Sequence, residues 1–138
     1  MDLKKACEIL HSEGCTCVLC REEKVHKSYH RGVKPLLDIL DSGMDVTGFC
    51  AADKVVGKAT AFLYCLLGVK KVHGVIMSGA ALQVLENAGV EASWDTLVEG
   101  IRNRNNDGPC PMEAATVNIA DPVEALAAIR STLEKLRG

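Results

Sequence analysis

Val46-Thr-Gly-Phe-Cys-Ala-Ala-Asp-Lys-Val-Val-Gly-Lys-Ala-Thr-Ala-Phe-Leu-Tyr-Cys-Leu-Leu-Gly68, followed by Val72-His-Gly-Val-Ile-Met-Ser78, is the part of the chain whose reading decides the fold. Val46 to Ala52 lacks strong period-2 alternation, the pattern of a strand covered on both faces. Asp53 stands where an N-cap belongs, and residues 54–67 carry a long apolar face closed by Gly68, so the spacing predicts a helix. Val72 to Met77 reads as a second buried strand. Ser78 caps a predicted helix that runs to Gly89, and Val90 to Ser93 is a short strand.

Working outward, Leu3, Ala6, Cys7, Ile9 and Leu10 fall at helical spacing, so residues 2–13 read as an opening helix that stops at Gly14. Cys15 to Cys20 and Val25 to Tyr29 are short strand-type runs. The polar Arg21-Glu-Glu-Lys24 between them makes a hairpin turn. Val33 to Leu40 reads as a helix with Pro35 in its first turn and Gly43 past its end. Beyond the central stretch, Asp95 is placed to cap a helix through about Asn103, and the polar run to Gly108 is a loop. Two short helices follow Cys110 and Asp121. A hairpin followed by strand–helix–strand crossovers implies a three-layer α/β/α sandwich around a mixed five-stranded sheet.

Composition sets the limits. A chain of 138 residues holds one domain, taken as 1–138, and 48% hydrophobic against 25% charged residues excludes disordered and fibrous classes. The net charge of -2 gives no global basic field. The only aromatic side chains are Tyr29, Phe49, Phe62, Tyr64 and Trp94, so stacking platforms are scarce and a nucleic acid polymer is not the expected partner. The longest apolar run, Ala59 to Val69, is about half the roughly 20 residues a bilayer demands, so no membrane association is expected. No long apolar run follows the first charges, so no signal peptide is expected. Seven irregularly spaced cysteines then read as reduced thiols in a cytoplasmic protein.

Three short stretches carry the chemistry. In Asp53-Lys54-x-x-Gly57-Lys58 a helix start presents unpaired N–H groups, with Lys54 and Lys58 one turn apart, which suits a phosphate or carboxylate. A glycine inside a helix costs roughly 1 kcal/mol against alanine, which points to a close approach at Gly57. The plainer reading is an ordinary cap with solvated lysines. The stretch has neither the first glycine nor the Gly-Lys-Ser/Thr ending of a phosphate-binding loop. Arg31-Gly32-Val33-Lys34-Pro35 is a second helix start of the same kind. Should the two converge, a small anionic, nucleotide-like ligand is the natural guest. Cys110-Pro-Met-Glu113 has the same grammar as Asp121-Pro-Val-Glu124, with cysteine in the capping place. A helix start favours a thiolate, which makes Cys110 the candidate reactive residue; the plainer reading is a packed thiol. Cys110, Asp53 and Lys54 are thus the candidate catalytic residues. Arg31, Gly32, Lys34, Gly57, Lys58 and Glu113 are the candidate ligand-binding residues, with Asp53 orienting a lysine or a ligand hydroxyl.

Cys15-x-Cys17-x-x-Cys20, with His26 and His30 downstream, has the ingredients of a metal site. On one strand Cys15 and Cys17 face one way and Cys20 the other, so no tetrahedron closes. No metal and no cofactor are expected.

Tyr29-His-Arg-Gly-Val-Lys-Pro-Leu-Leu, Ala52-Asp-Lys-Val-Val-Gly-Lys-Ala and Cys110-Pro-Met-Glu together resemble the signature stretches of the family called domain of unknown function 1893. The resemblance covers nearly the whole chain and implies a cytidine-deaminase-like fold. Deaminases of that fold hold zinc with a histidine from His-Ala-Glu and two cysteines from Pro-Cys-x-x-Cys, and the glutamate moves protons. Here the matching stretches are His30-Arg31-Gly32 and Asp53 to Gly57. Only His30 keeps its type; Gly32 stands in the glutamate's place, and Lys54 and Gly57 replace the cysteines. The resemblance therefore implies the fold without the zinc chemistry. The functional alternatives are an enzyme dependent on Cys110 that acts on a nucleotide-derived metabolite, and a non-catalytic assembly module forming a homo-oligomer.

Overall fold

A computed structural model describes residues 2–30, 32–101 and 110–137. The elements follow the order α1 (Asp2–Glu13), β1 (Cys17–Arg21), β2 (Lys24–Ser28), α2 (Lys34–Ser42), β3 (Cys50–Val56), α3 (Lys58–Leu67), β4 (Lys71–Ser78), α4 (Gly79–Asn87), β5 (Glu91–Val98), α5 (Pro111–Thr116) and α6 (Pro122–Arg137). They form one five-stranded sheet in the order β2-β1-β3-β4-β5. β1 is antiparallel to both β2 and β3, whereas β3, β4 and β5 run parallel, so the sheet is mixed as expected.

Helices cover both faces. On one face α1 packs Ala6 and Leu10 over Val18, Cys20 and Ala52. On the other, Leu36 and Ile39 of α2, Leu63 and Tyr64 of α3 and Leu85 of α4 pack over Leu19, Val56 and Val72. Residues 59–64 of α3 are buried on every side, as befits a helix with the sheet beneath it and α5 and α6 outside it. Among the described residues no helix is long and apolar enough to cross a membrane.

Three sequence expectations are corrected. The first concerns β3. Residues 46–49 form a turn, not a strand: Thr47 N–H bonds to Asp45 Oδ1 at 3.0 Å, and Phe49 N–H to Val46 O at 3.0 Å. The strand runs on through Asp53 to Val56, because Asp53 pairs with Cys17 on one side and with Gly74 on the other. Two neighbouring strands satisfy more backbone groups than the start of a helix would, and they override the capping preference of Asp53. Gly57 is the N-cap and Lys58 the first helical residue, so Gly57 is not inside the helix, and Lys54 and Lys58 do not share a helical face.

The second concerns Asp95, which caps no helix: β5 continues to Val98, paired along its length with β4. Arg102 and the polar run after it lie outside the described residues. The third concerns the thiols. Cys15 precedes β1, and the chain bends at Thr16, whose N–H donates to Ser28 O at 2.8 Å and whose hydroxyl donates to His30 O at 2.6 Å. Cys15 therefore shares the α1 side with Cys20, while Cys17 lies on the opposite side of the sheet. The cap at Ser78 is as expected: its hydroxyl accepts from Ala81 N–H at 3.1 Å.

Ser78 is fully buried, so nothing else can reach the freed amide. Ser78→Ala should lower unfolding free energy by about 1–2 kcal/mol, read from the midpoint of urea denaturation at unchanged slope.

Candidate functional site

The carboxyl end of β3 stops in a cleft of about 780 Å³. Three helix starts open onto it. Gly32, Val33 and Lys34 contribute from α2, Gly57, Ala59 and Thr60 from α3, and Cys110 to Glu113 from α5; Leu133 and Leu136 of α6 complete one wall. Crevices beyond strand carboxyl ends are where open α/β sheets bind ligands, because helix starts and strand ends meet there. A more open depression of about 420 Å³ between β2 and α2 is lined by His26, Tyr29, His30 and Asp38 and, among the described residues, holds none of the candidate catalytic or ligand-binding residues.

Asp53, Lys54 and Val55 line the cleft from β3. Tyr64, fully buried on α3, donates its hydroxyl proton to Asp53 Oδ2 at 2.7 Å. Val55 N–H reaches Asp53 Oδ1 at 3.3 Å. Cys17 Sγ lies 3.1 Å from the Tyr64 oxygen. Since the phenol proton is committed to the carboxyl, the thiol is the donor in that contact. Burial pushes Asp53 from the usual 3.8 to about 7, against the lowering effect of its bonds from Tyr64 and the backbone of Val55 and Lys54. Burial, and then the Asp53 charge, hold the Cys17 thiol and the Tyr64 phenol well above their ordinary values. Asp53 is thus a carboxyl that exchanges its proton near neutrality, fixed in orientation at the edge of a cleft.

The start of α3 is already satisfied from within the molecule. Glu113 reaches across from α5, and its Oε1 accepts from Lys58 N–H at 2.6 Å. A capping box would have turned that glutamate back on its own helix; here it caps another, a favourable place for a carboxylate. The contact explains Gly57. A Cβ there would overlap Glu113 Oε1 and lie 3.1 Å from Ile101.

The candidate residues separate accordingly. Gly32, Lys34, Asp53, Lys54, Gly57, Cys110 and Glu113 line one cleft, whereas Lys58 does not. Its ammonium lies 5.8 Å from the centre of the Phe62 ring and donates to Val117 O at 3.1 Å, tying α3 to the end of α5. Lys34 is paired with Asp38 one turn on, at 2.9 Å. Lys54 is exposed, with no ion-pair partner among the described residues. Arg31 lies outside the described residues. Cys110 caps α5 without a side-chain hydrogen bond. Among the described residues no three His, Cys, Asp or Glu side chains gather to hold a metal ion.

Cys17 and Tyr64 are the residues that sequence reasoning missed, since Cys17 enters it only as a metal-type thiol and Tyr64 only as part of an apolar helix. One signal was available: a tyrosine inside the buried run 59–67 needs a partner for its hydroxyl.

The sequence profile of the family described as Domain of unknown function (DUF1893) matches residues 5–133. The fold is similar to the crystal structure of a DUF1893 family protein from Thermotoga maritima, with a TM-score of 0.87 at 22% identity over 94% of this chain and 88% of that one. A weaker likeness is to the dCMP deaminase of the cyanophage S-TIM5 (TM-score 0.44, 15% identity, 67% of this chain and 93% of that one). Another is to a diaminohydroxyphosphoribosylaminopyrimidine deaminase/5-amino-6-(5-phosphoribosylamino)uracil reductase of Thermotoga maritima (TM-score 0.45, 13% identity, 84% of this chain and 40% of that one). Comparison with curated proteins gives no match.

Two outcomes follow from the geometry. Between about pH 4 and about pH 7 folded Asp53 retains a proton that the unfolded chain has released, so its contribution to stability falls as pH rises through that window. Asp53→Asn should flatten the decline, measured as the difference in urea midpoint between variant and wild type across the window. Gly57→Ala should cost about 1–3 kcal/mol by crowding Glu113. Adding Glu113→Ala should make the pair cost less than the sum of the single changes, as a double-mutant cycle will read.

Proposed function

The chain belongs to the DUF1893 family, and from that premise we propose that it binds a small anionic, nucleotide-like molecule in the cleft at the end of β3. One observation carries the reading: the starts of α2 and α3 and the strand end bearing Lys54 open into a single space of about 780 Å³, within the usual size of a small-molecule site. Val33, Met112, Leu133 and Leu136 supply apolar wall for a flat ring. Lys54 supplies positive charge at the rim, reinforced by the positive end of α2. Glu113 holds the first amide of α3, so the anionic group of the ligand belongs nearer Lys54 and the start of α2. Seven unpaired thiols accord with a reducing, cytoplasmic setting.

A second reading is favoured by the place of Cys110, whose thiol lies in the wall of the same cleft at the head of α5. In that reading the bound molecule is also a substrate, and its turnover depends on Cys110. Selective alkylation of Cys110, slowed by bound nucleotide, would support it; alkylation indifferent to nucleotide would not.

The binding reading is tested by calorimetric titration with nucleoside monophosphates. Lys54→Ala should weaken binding roughly tenfold, the loss of one charged contact. Lys58→Ala should leave affinity unchanged and lower only the melting temperature, because its ammonium tethers Val117 outside the cleft. Equal affinity in wild type and Lys54→Ala would move the site elsewhere.

A further inference from the structure

The chain Cys17–Tyr64–Asp53 has a direction. The thiol donates to the phenol oxygen, and the phenol donates to the carboxyl, so both protons point toward Asp53. One carboxylate oxygen receives Tyr64 and the other receives Val55 N–H. Lys54 N–H, which also favours the ionised carboxyl, is spent on Thr16 O at 3.0 Å, so each carboxylate oxygen keeps one of its two lone-pair directions. Asp53 lines the cleft, and in its ionised form the carboxylate offers a guest acceptors only. An apolar ring edge against it would leave the remaining acceptors of the charged group unfilled, which is costly in a partly buried place.

We propose that Asp53 recognises the uncharged ring of the bound molecule, selecting an edge with two adjacent N–H donors, as guanine presents. The inference rests on the binding reading above and adds the ring to it. Two parallel N–H groups match a carboxylate in the way a guanidinium does, with both bonds charge-assisted. Tyr64 and Val55 hold the carboxyl in one orientation, so the edge is read without reorganisation. Among the described residues the other ionisable side chains lining the cleft are Cys17, His30, Lys34, Lys54, Cys110 and Glu113, with Tyr64 bonded to Asp53 from α3. Glu113 is engaged by Lys58 N–H and Lys34 by Asp38, which among the described residues of the cleft leaves Asp53 the carboxylate not already committed to a helix start.

The test uses the full chain at about pH 8, where Asp53, with its value near 7, is ionised. Guanosine, inosine and xanthosine monophosphates are titrated by calorimetry. Wild type should bind the guanosine compound about tenfold more tightly than the inosine one, which lacks the amino donor, and the xanthosine compound most weakly. Asp53→Asn places an amide N–H beside an acceptor and should reverse the order, favouring xanthosine over guanosine. Equal binding of guanosine and inosine monophosphates to wild type would overturn the inference, with no variant needed. So would an unchanged order in Asp53→Asn. Binding that depends on Lys54 but is indifferent to the ring would sink this inference alone. Binding of none of the three would sink it together with the reading beneath it.

Discussion

Where β3 ends fixes the rest of the functional side. Its backbone is paired on both flanks, with Asp53 opposite Cys17 of β1 and Gly74 of β4. The chain is then free to turn only at Gly57, so α3 starts at Lys58 and Asp53 stays in the sheet. That register sets the carboxyl beside Tyr64, nearly two turns into α3, and beside Cys17 on the neighbouring strand. A strand ending four residues earlier would have put Asp53 on a solvated cap and left the Tyr64 hydroxyl buried without its acceptor, at a cost of about 1–3 kcal/mol.

Two opposing effects meet at Asp53. Burial disfavours its charge, while hydrogen bonds from Tyr64 and the backbone favour it, and burial wins. The outcome is a group that is half ionised near neutrality instead of a permanent anion. On the opposite side of Gly57 the balance is different. Glu113 lies at the positive end of α3 and takes a backbone N–H at 2.6 Å. The two carboxyl groups line the same cleft, yet one serves the scaffold and the other faces the space. The lysines divide in the same way: Lys58 closes α5 onto α3, Lys34 is held by Asp38, and Lys54 stands at the rim.

Most of the elements are legible because their signals are local. Gly43 and Gly68 end α2 and α3 in the left-handed conformation, with φ of +74° and +75°, and Ser78 caps α4 with its own hydroxyl. The hairpin of β1 and β2 follows from two strand-type runs around a polar turn. The errors fall where local and long-range preferences disagree. Asp53 and Asp95 are both good capping residues, and both are held in strands by distant segments: Asp53 pairs with Gly74, and the neighbours of Asp95, Trp94 and Thr96, pair with Gly74 and Ile76. Cys15 and Cys17 differ by two positions, but the bend at Thr16 breaks the alternation before β1 begins.

By itself the sequence determined the α/β class, the order of most elements and the three stretches that meet at the cleft, since periodicity, glycine stops and capping residues act within a few positions. Only the tertiary structure decided which of their side chains face the cleft. It turned Lys58 away, set Glu113 on the start of α3 and joined Cys17, Tyr64 and Asp53 into a chain of hydrogen bonds. Such contacts link residues 11 to 59 positions apart, and they depend on strand register and helix packing, which no local window of sequence contains.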